Sequence, residues 1–226
     1  MTNKIKTFVR QLLLTALIAV TSLLCLTAVA ELDFDRMLQT LSSRFGGAPP
    51  GARFAEWRKM LGEGTRGQES EKLRRVNDFF NRHAAFDDDF SVWGQSDYWA
   101  TPLEMIGQGR GDCEDFAIAK YFSLLNLGVP MTKLRLVYVR AMLNGSDGPV
   151  QQAHMVLAYY ATPNADPVVL DNLIPEIRPA SQRTDLSPIF SFNSSGLWQG
   201  TGNLSSKSNL SRWQDLLARA RADGFQ

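Results

Sequence analysis

The spacing of apolar residues predicts helices in the first half of the chain. It indicates three amphipathic helices, at about 32–45, about 54–61 and about 70–85. The segment Ala48-Pro49-Pro50-Gly51 between the first two is predicted to be a linker or turn, because proline and glycine interrupt regular structure. The acidic run Asp87-Asp88-Asp89 is typical of a solvated loop. This half of the chain is therefore expected to consist of helices joined by polar or proline-rich connections.

Two further helices are marked by their first residues. Thr101-Pro102-Leu103-Glu104 offers a capping residue, a proline suited to the first helical position and the glutamate of a capping box. The glycine-rich turn 107–111 ends that short helix, and a second helix is predicted from Asp112 to Asn126. This second helix has little polar face, which is typical of a helix buried at the centre of a protein.

The second half of the chain shows the alternation of β-strands. Strands are predicted at Leu134–Leu143, His154–Ala161 and Pro167–Asp171, with a loop over residues 144–149 between the first two. An amphipathic tail from Asn209 to Ala222 predicts a closing helix. Helices followed by strands in one chain predict an α+β fold, in which a helix lies against an antiparallel sheet.

The first 30 residues have the pattern of an export signal. A basic start at Lys4, Lys6 and Arg10 precedes an uncharged apolar run from Leu12 to Val29. An uncleaved membrane anchor is the alternative, because this run is just long enough to span a bilayer. Its polar residues and the small-x-small ending Ala28-Val29-Ala30 favour cleavage. We therefore expect a signal peptide at 1–30 and a single domain at 31–226.

The composition is that of a globular protein, with 44% hydrophobic and 21% charged residues and a formal net charge of +1. A near-neutral charge gives no support for nucleic-acid binding, which needs a clustered basic face. Cleavage of the signal segment would remove Cys25 and leave Cys113 as the single cysteine. In an exported protein such a residue is an inert buried side chain, a site of intermolecular pairing or a reactive thiol.

Cys113 has the position of a reactive thiol, at the predicted N-terminus of the buried helix. The unpaired N–H groups and partial positive charge there favour a thiolate and lower its pKa. His154 and Asp171 are predicted at the start and end of neighbouring antiparallel strands, which would place them side by side. Together the three residues form a candidate Cys–His–Asp triad. On the residues alone, a structural cysteine, a packed histidine and a turn-forming aspartate remain alternatives.

Four segments resemble the bacterial transglutaminase-like cysteine proteinases. They are Tyr98–Glu104, Gly111–Tyr121, Ala153–Leu157 and Leu170–Asn172, in the family's order. The resemblance extends roughly from Trp57 to Trp198. It implies a papain-like or transglutaminase-like core, with additional N-terminal helices, in which a central helix carries the nucleophile.

The resemblance also assigns roles to residues. It implies that Cys113 is the nucleophile, His154 the base and Asp171 the carboxylate that orients the histidine. Apart from the resemblance, we expect the Cys113 N–H and a side chain such as that of Trp99 to donate to the oxyanion.

Three acidic residues surround the cysteine and indicate a metal site. Asp112, Glu114 and Asp115 would disfavour a thiolate at Cys113, unless they only cap the helix or bind a cation. Hard oxygen ligands suit Ca²⁺, and the lack of a second cysteine or a nearby histidine argues against zinc. The pattern does not match an EF-hand loop. The family resemblance implies calcium dependence, so we expect Ca²⁺ to bind at these three residues.

The family resemblance implies a periplasmic endopeptidase with two protein partners. Its substrate would be a large, repeat-containing surface adhesin, cut near its N-terminus at a paired-alanine motif and so released from the cell, which promotes biofilm dispersal. Its regulator would be an inner-membrane receptor for cyclic di-GMP. Two alternatives remain open. One is a transglutaminase-like acyltransferase with the same triad, and the other is a non-catalytic periplasmic binding module.

Overall fold

The described part of the protein divides into a helical first half and a sheet-forming second half. The computed structural model describes residues 32–146, 148–200, 202, 204–206 and 210–225. Leu32–Gln226 form one compact unit. The predicted signal peptide at 1–30 lies outside the described residues. Among the helices of the described part, none is long and apolar enough to cross a membrane.

The first half contains six helices and a short pair of parallel strands within the described residues. The helices are α1 (Phe34–Phe45), α2 (Ala48–Gly64), α3 (Glu69–His83), α4 (Asp89–Trp93), α5 (Pro102–Gln108) and α6 (Cys113–Asn126), and the strands are β1 (Ala85–Phe86) and β2 (Arg110–Gly111). The three amphipathic helices and the two helices marked by their first residues are thereby confirmed.

Helix α2 begins earlier than its apolar spacing predicted. Pro49 and Pro50 lie in its first turn, where a missing N–H costs no intrahelical hydrogen bond. Gly47, with φ of 72°, makes the turn that separates α1 from α2. The predicted linker Ala48-Pro49-Pro50-Gly51 is therefore wrong, because these prolines start a helix here.

The predicted solvated loop at Asp87-Asp88-Asp89 is also wrong in part. Asp88 caps α4, since its Oδ1 accepts a hydrogen bond from the Ser91 N–H at 3.0 Å. Asp89 is the first residue of this short helix and is buried. The acidic run thus starts a helix and turns one carboxylate inward.

Helix α5 has the capping box that its sequence predicted. The Thr101 hydroxyl accepts from the Glu104 N–H, and Glu104 accepts from the Thr101 N–H at 2.8 Å. Gly109, at φ of 68°, ends the helix in the left-handed conformation. The chain then passes through β2 directly into α6. The end of α5 therefore fixes the course of the backbone that leads into Cys113.

Helix α6 is the central helix of the fold. Every residue from Cys113 to Leu124 is buried, as its apolar pattern predicted. It packs between α3 and α5 on one side and strands β3 (Leu134–Gly145) and β4 (Gly148–Tyr159) on the other. Gly128, with φ of 78°, follows it and turns the chain toward the sheet.

The second half forms a seven-stranded antiparallel sheet among the described residues. Strand order is β6-β5-β4-β3-β7-β8-β9. The remaining strands are β5 (Val168–Leu170), β6 (Arg178–Pro179), β7 (Leu186–Asn193), β8 (Gly196–Gln199) and β9 (Leu204–Ser206). The sequence did not predict β6 to β9. The predicted loop at 144–149 is shorter than expected, because β3 and β4 pair as far as Gly145 and Gly148.

The two faces of the sheet bury different residues. Leu136 and Leu157 belong to the main core with the helices, whereas Val137 and Val156 belong to a smaller apolar cluster. This is the alternation expected of a strand buried on both faces. Helix α7 (Ser211–Asp223) adds the fully buried Trp213 to the main core. The predicted α+β fold, with a central helix on an antiparallel sheet, is confirmed.

Candidate active site

Cys113 is the first residue of α6 and is 8% exposed. Asp112 caps the helix, because its Oδ1 accepts from the N–H groups of Glu114 and Asp115 at 3.1 and 3.3 Å. The thiol donates a hydrogen bond to Glu114 Oε2 at 2.7 Å. The main-chain N–H of Met155, the residue that follows His154 in β4, acts on this thiol as well and lowers its pKa. Packing of α6 on β4 therefore brings Cys113 against the histidine segment.

The pKa of Cys113 differs from the sequence prediction. Burial raises this pKa strongly, and the negative charges of Glu114 and Asp112 raise it further. The helix N-terminus was expected to lower this pKa, but the pKa is raised instead. The two flanking carboxylates and the loss of water outweigh the partial charge of the helix end.

His154 and Asp171 form a buried hydrogen-bonded pair. His154 Nε2 lies 2.8 Å from Asp171 Oδ1, and both side chains are almost completely buried. His154 lies inside β4 rather than at its start, paired with Val139 of β3. Asp171 directly follows β5, whose last residue Leu170 pairs with Leu157 of β4. Because Nε2 contacts the carboxylate, Nδ1 is the ring nitrogen left for proton exchange.

The Asp171 carboxylate is held in its ionised form. Burial alone would raise its pKa, but hydrogen bonds and charge from His154, together with the Leu173 N–H and Arg183, lower it to about 2. The Leu173 N–H donates to Oδ1 at 3.0 Å, and Arg183 Nη2 donates to Oδ2 at 2.7 Å. An ionised carboxylate is the form that orients a catalytic histidine.

The main chain of Asp171 is fixed from two helices. Its carbonyl oxygen accepts from Lys120 Nζ of α6 at 3.0 Å and from Asn81 Nδ2 of α3 at 2.8 Å. Sequence reasoning missed Lys120, Asn81 and Arg183. The sequence did contain one signal for Lys120. A lysine in a helix predicted to be buried needs a polar partner in the interior.

Acidic side chains gather beside Cys113. Ligand atoms of Asp112, Cys113 and Glu114 lie within 4.8 Å of one another, and so do those of Asp89, Asp112 and Asp115. Asp89 was not among the predicted ligands, because its run was interpreted as a solvated loop. Asp112 belongs to both groups, so the predicted acidic residues and Asp89 line one region at the start of α6.

The cluster has the electrostatics of a cation site. Burial and neighbouring carboxylates raise the pKa of Asp112 to about 9, that of Asp115 to about 8 and that of Asp89 to about 6. Asp89 Oδ1 and Asp115 Oδ2 are buried and have no hydrogen-bond partner among the described residues. A side chain at Gly111 would overlap the Asp115 carboxylate. Buried, unpartnered carboxylate oxygens fit a hard cation such as Ca²⁺.

Carboxylates of this cluster also hold the backbone that carries Trp99. Asp89 Oδ2 accepts from the Tyr98 N–H at 2.6 Å, and Asp115 Oδ1 accepts from the Ala100 N–H at 2.7 Å. The Trp99 ring is buried and stacks on Phe192 at 5.6 Å between centroids. Its Nε1 has no partner among the described residues. The oxyanion role of Trp99 stays a prediction, with a buried indole N–H available for it.

The chain has clear relatives among families and solved structures. The family model described as bacterial transglutaminase-like cysteine proteinase BTLCP matches residues 59–190. The chain belongs to this family. No curated protein matches it.

Solved structures of LapG from Legionella pneumophila have the same fold. The calcium-bound structure is 36% identical in sequence and has a TM-score of 0.70. The match covers 82% of this chain and 98% of the LapG chain. The EGTA-treated structure is 35% identical with a TM-score of 0.70, covering 83% of this chain and 97% of its own. A third LapG structure is 37% identical with a TM-score of 0.69, and it covers the same shares as the EGTA-treated one. The predicted membership of the bacterial transglutaminase-like cysteine proteinases is confirmed, and the chain is a cysteine proteinase by family.

Proposed function

We propose that this cysteine proteinase is a calcium-dependent periplasmic endopeptidase with a Cys113–His154–Asp171 triad. The observation that carries the proposal is the buried, hydrogen-bonded His154–Asp171 pair, whose histidine lies on a strand that packs against the helix beginning at Cys113. Cys113 at the start of α6, His154 in β4 and Asp171 after β5 would supply the nucleophile, the base and the orienting carboxylate of covalent catalysis. A non-catalytic binding module has no need of this arrangement.

The proposed reaction proceeds through an acyl-enzyme. His154 Nδ1 takes the Cys113 proton as the thiol turns from Glu114, and the sulfur attacks the scissile carbonyl. Asp171 keeps the remaining proton on Nε2 and stabilises the imidazolium. His154 then protonates the leaving amine, and water hydrolyses the thioester. The Cys113 N–H and the Trp99 indole are the proposed oxyanion donors.

Calcium is the proposed cation at the acidic cluster. Asp112, Glu114 and Asp115, with Asp89 in addition, are the side chains that would hold it. When bound, Ca²⁺ would supply positive charge beside Cys113 that offsets the carboxylates raising its pKa. Supporting this, the LapG structures at 35–36% identity were obtained calcium-bound and EGTA-treated, and the cluster holds buried carboxylate oxygens without partners among the described residues.

The proposed substrate is a large, repeat-containing surface adhesin. Family resemblance supports cleavage in its N-terminal region at a paired-alanine motif, with release of the adhesin and biofilm dispersal as the result. It also supports control by a LapD-like inner-membrane receptor for cyclic di-GMP, which would sequester the protease. Binding of the purified protein to the periplasmic domain of such a receptor in a pull-down supports this partner, and absence of binding contradicts it.

Cleavage of an adhesin segment by matched variants tests the activity. The protein without residues 1–30 is incubated with a purified N-terminal segment carrying the alanine pair, and products are mapped by mass spectrometry. We expect cleavage between the alanines by the wild type and none by Cys113→Ala, with equal thermal unfolding of both. Cleavage by Cys113→Ala would contradict the assignment. A stable conjugate of a glutamine peptide with a primary amine would instead favour acyl transfer.

Export is tested on the mature protein. Cells expressing the full chain are fractionated, and the N-terminus of the periplasmic form is sequenced. We expect it to begin at Glu31, after Ala28-Val29-Ala30. An intact N-terminus in the membrane fraction would show an uncleaved anchor instead.

A further inference from the structure

A buried arginine lies on the side of Asp171 that faces away from His154. Arg183 Nη2 donates to Asp171 Oδ2 at 2.7 Å and also to Asp185 Oδ2 at 2.7 Å. Arg183 Nε donates to Asp185 Oδ1 at 2.9 Å. The Arg183 side chain is 2% exposed and that of Asp171 is 0% exposed. Asp185 thus holds the guanidinium in place, and the guanidinium holds Asp171.

The hydrogen bonds divide the two oxygens of Asp171 between different partners. Oδ1 accepts from His154 and from the Leu173 N–H, whereas Oδ2 accepts from Arg183. The main chain of Asp171 is fixed separately, through its carbonyl, by Lys120 and Asn81. The torsion that turns a carboxylate about its own axis is broad, so backbone anchoring alone does not set it. Arg183 is the side chain that fixes the carboxylate on Oδ2.

We propose that Arg183 is a positioning residue of the catalytic triad, which keeps Asp171 Oδ1 on His154 Nε2 and thereby selects the tautomer with the proton on Nε2. The inference rests on the proposed function, since it assigns His154 as the base. The hydrogen bonds of Arg183 go to Asp171 and Asp185 and not to the thiol of Cys113. It acts through Asp171.

A contribution to folding stability does not explain why an arginine is buried beside Asp171. Replacing a buried ion pair by apolar residues of similar volume is often neutral or stabilising. Here one guanidinium lies between two carboxylates, and its Nη1 is buried without a partner among the described residues. A buried donor without a partner costs stability, so this arrangement is better explained by the positioning of the Asp171 carboxylate. The fork of arginine contacts both carboxylates at once, which a single ammonium does less well.

Steady-state kinetics on the adhesin segment separate positioning from binding. In Arg183→Met we expect kcat to fall about 100-fold with KM within about threefold, because the histidine is misplaced while the substrate surface is unchanged. Arg183→Lys should recover part of kcat, and Asp185→Asn, which loosens Arg183 without removing it, should give an intermediate loss. Arg178→Met is the matched control, since Arg178 is exposed and pairs only with Glu176 among the described contacts.

The tautomer of His154 gives a readout that needs no substrate. The chain has two histidines, so ¹⁵N-histidine labelling gives two imidazole spectra, with His83 as the internal reference. At one fixed pH we expect a single His154 tautomer with Nε2 protonated in the wild type and the control. Arg183→Met or Asp185→Asn should give a tautomer mixture. The signals are assigned with His83→Gln.

Each outcome decides the inference. If Arg183→Met does not fold, Arg183→Lys and Asp185→Asn carry the test, and lowered kcat with a mixed tautomer in either supports it. Wild-type kcat in the folded variants, or an unchanged single tautomer, would overturn it. If the wild type cleaves no adhesin segment, the proposal of an adhesin substrate is wrong. The imidazole spectra need no substrate, so they still test the role of Arg183.

Discussion

The main-chain N–H of Tyr98 donates to Asp89 Oδ2 across 2.6 Å, and this bond joins the acidic cluster to the segment before Trp99. Asp89 Oδ1, its other oxygen, is buried without a partner among the described residues. One oxygen of Asp89 therefore fixes the backbone, and the other is available to the proposed cation. The same division holds for Asp115, which binds the Ala100 N–H through Oδ1. In the proposed calcium site, cation binding and the placement of Trp99 would thus be linked through two side chains.

We predict that Asp89 contributes to calcium affinity. Asp89→Ala removes one buried carboxylate oxygen from the cluster, so Ca²⁺ should bind roughly 10- to 100-fold more weakly, as measured by isothermal titration calorimetry. Glu176→Ala is the control, because Glu176 is exposed and lies outside both acidic groups. Equal affinity in Asp89→Ala and the wild type would show that Asp89 serves only the Tyr98 backbone.

We predict that cleavage depends on Ca²⁺ itself. Excess chelator should suppress cleavage of the adhesin segment, and added Ca²⁺ should restore it, whereas Mg²⁺ should not, because Mg²⁺ dehydrates reluctantly and demands octahedral geometry. Ca²⁺ should also raise the midpoint of thermal unfolding, since it binds only the folded state. The Asp112→Ala, Glu114→Ala double variant should lose both effects. Full activity in chelator would mean that these acids only cap α6.

Much of the helical half was predictable because its signals are local. The capping box at Thr101 and Glu104 and the apolar length of α6 each depend on residues close in sequence. The start of α2 was missed because Pro49 and Pro50 resemble a linker until their place in a first turn is known. Strands β6 to β9 are short or lack clear alternation, and pairing with distant residues defines them.

The residues of the candidate site also differ in whether the sequence alone could predict them. Cys113, His154 and Asp171 were found from motifs, whereas Asp89 and Arg183 were not. Asp89 is brought to Asp112 and Asp115 only when α4 packs beside β2 and the start of α6. Arg183 follows a short 3₁₀ turn and reaches Asp171 across the sheet edge. Neither partner can be inferred from neighbours in sequence.

We predict that the indole N–H of Trp99 contributes to catalysis. Trp99→Phe keeps the stack on Phe192 but removes an Nε1–H that has no partner among the residues described. If this group binds the oxyanion, kcat should fall about 100-fold with a small change in KM. Trp93→Phe makes the same chemical change at another indole whose buried Nε1 has no partner in the described part of the chain, and its kcat should stay at the wild-type value. Equal kinetics for the two variants would remove Trp99 from the oxyanion site.

Lys120 should make the stability of the protein depend on pH. Burial lowers its pKa to about 7, although the charge of Asp171 opposes the shift, whereas in the unfolded chain a lysine has a pKa of about 10.4. Between these values the unfolded state keeps a proton that the folded state has lost, so this lysine makes the free energy of unfolding rise with pH, by at most about 1.4 kcal/mol per unit. Below pH 7 both states are charged and the contribution is flat.

Lys120→Met removes this titration and keeps the volume of the side chain. Its stability relative to the wild type, from urea unfolding in chelator at pH 6, 7.5 and 9, should be highest at pH 6 and decline above pH 7, because the wild type no longer buries a charge there. Taking the difference between the two proteins cancels titrations that they share. Lys59→Met, at an exposed position of α2, is the matched control. A constant difference between wild type and Lys120→Met from pH 6 to 9 would show that Lys120 stays charged beside the Asp171 carbonyl.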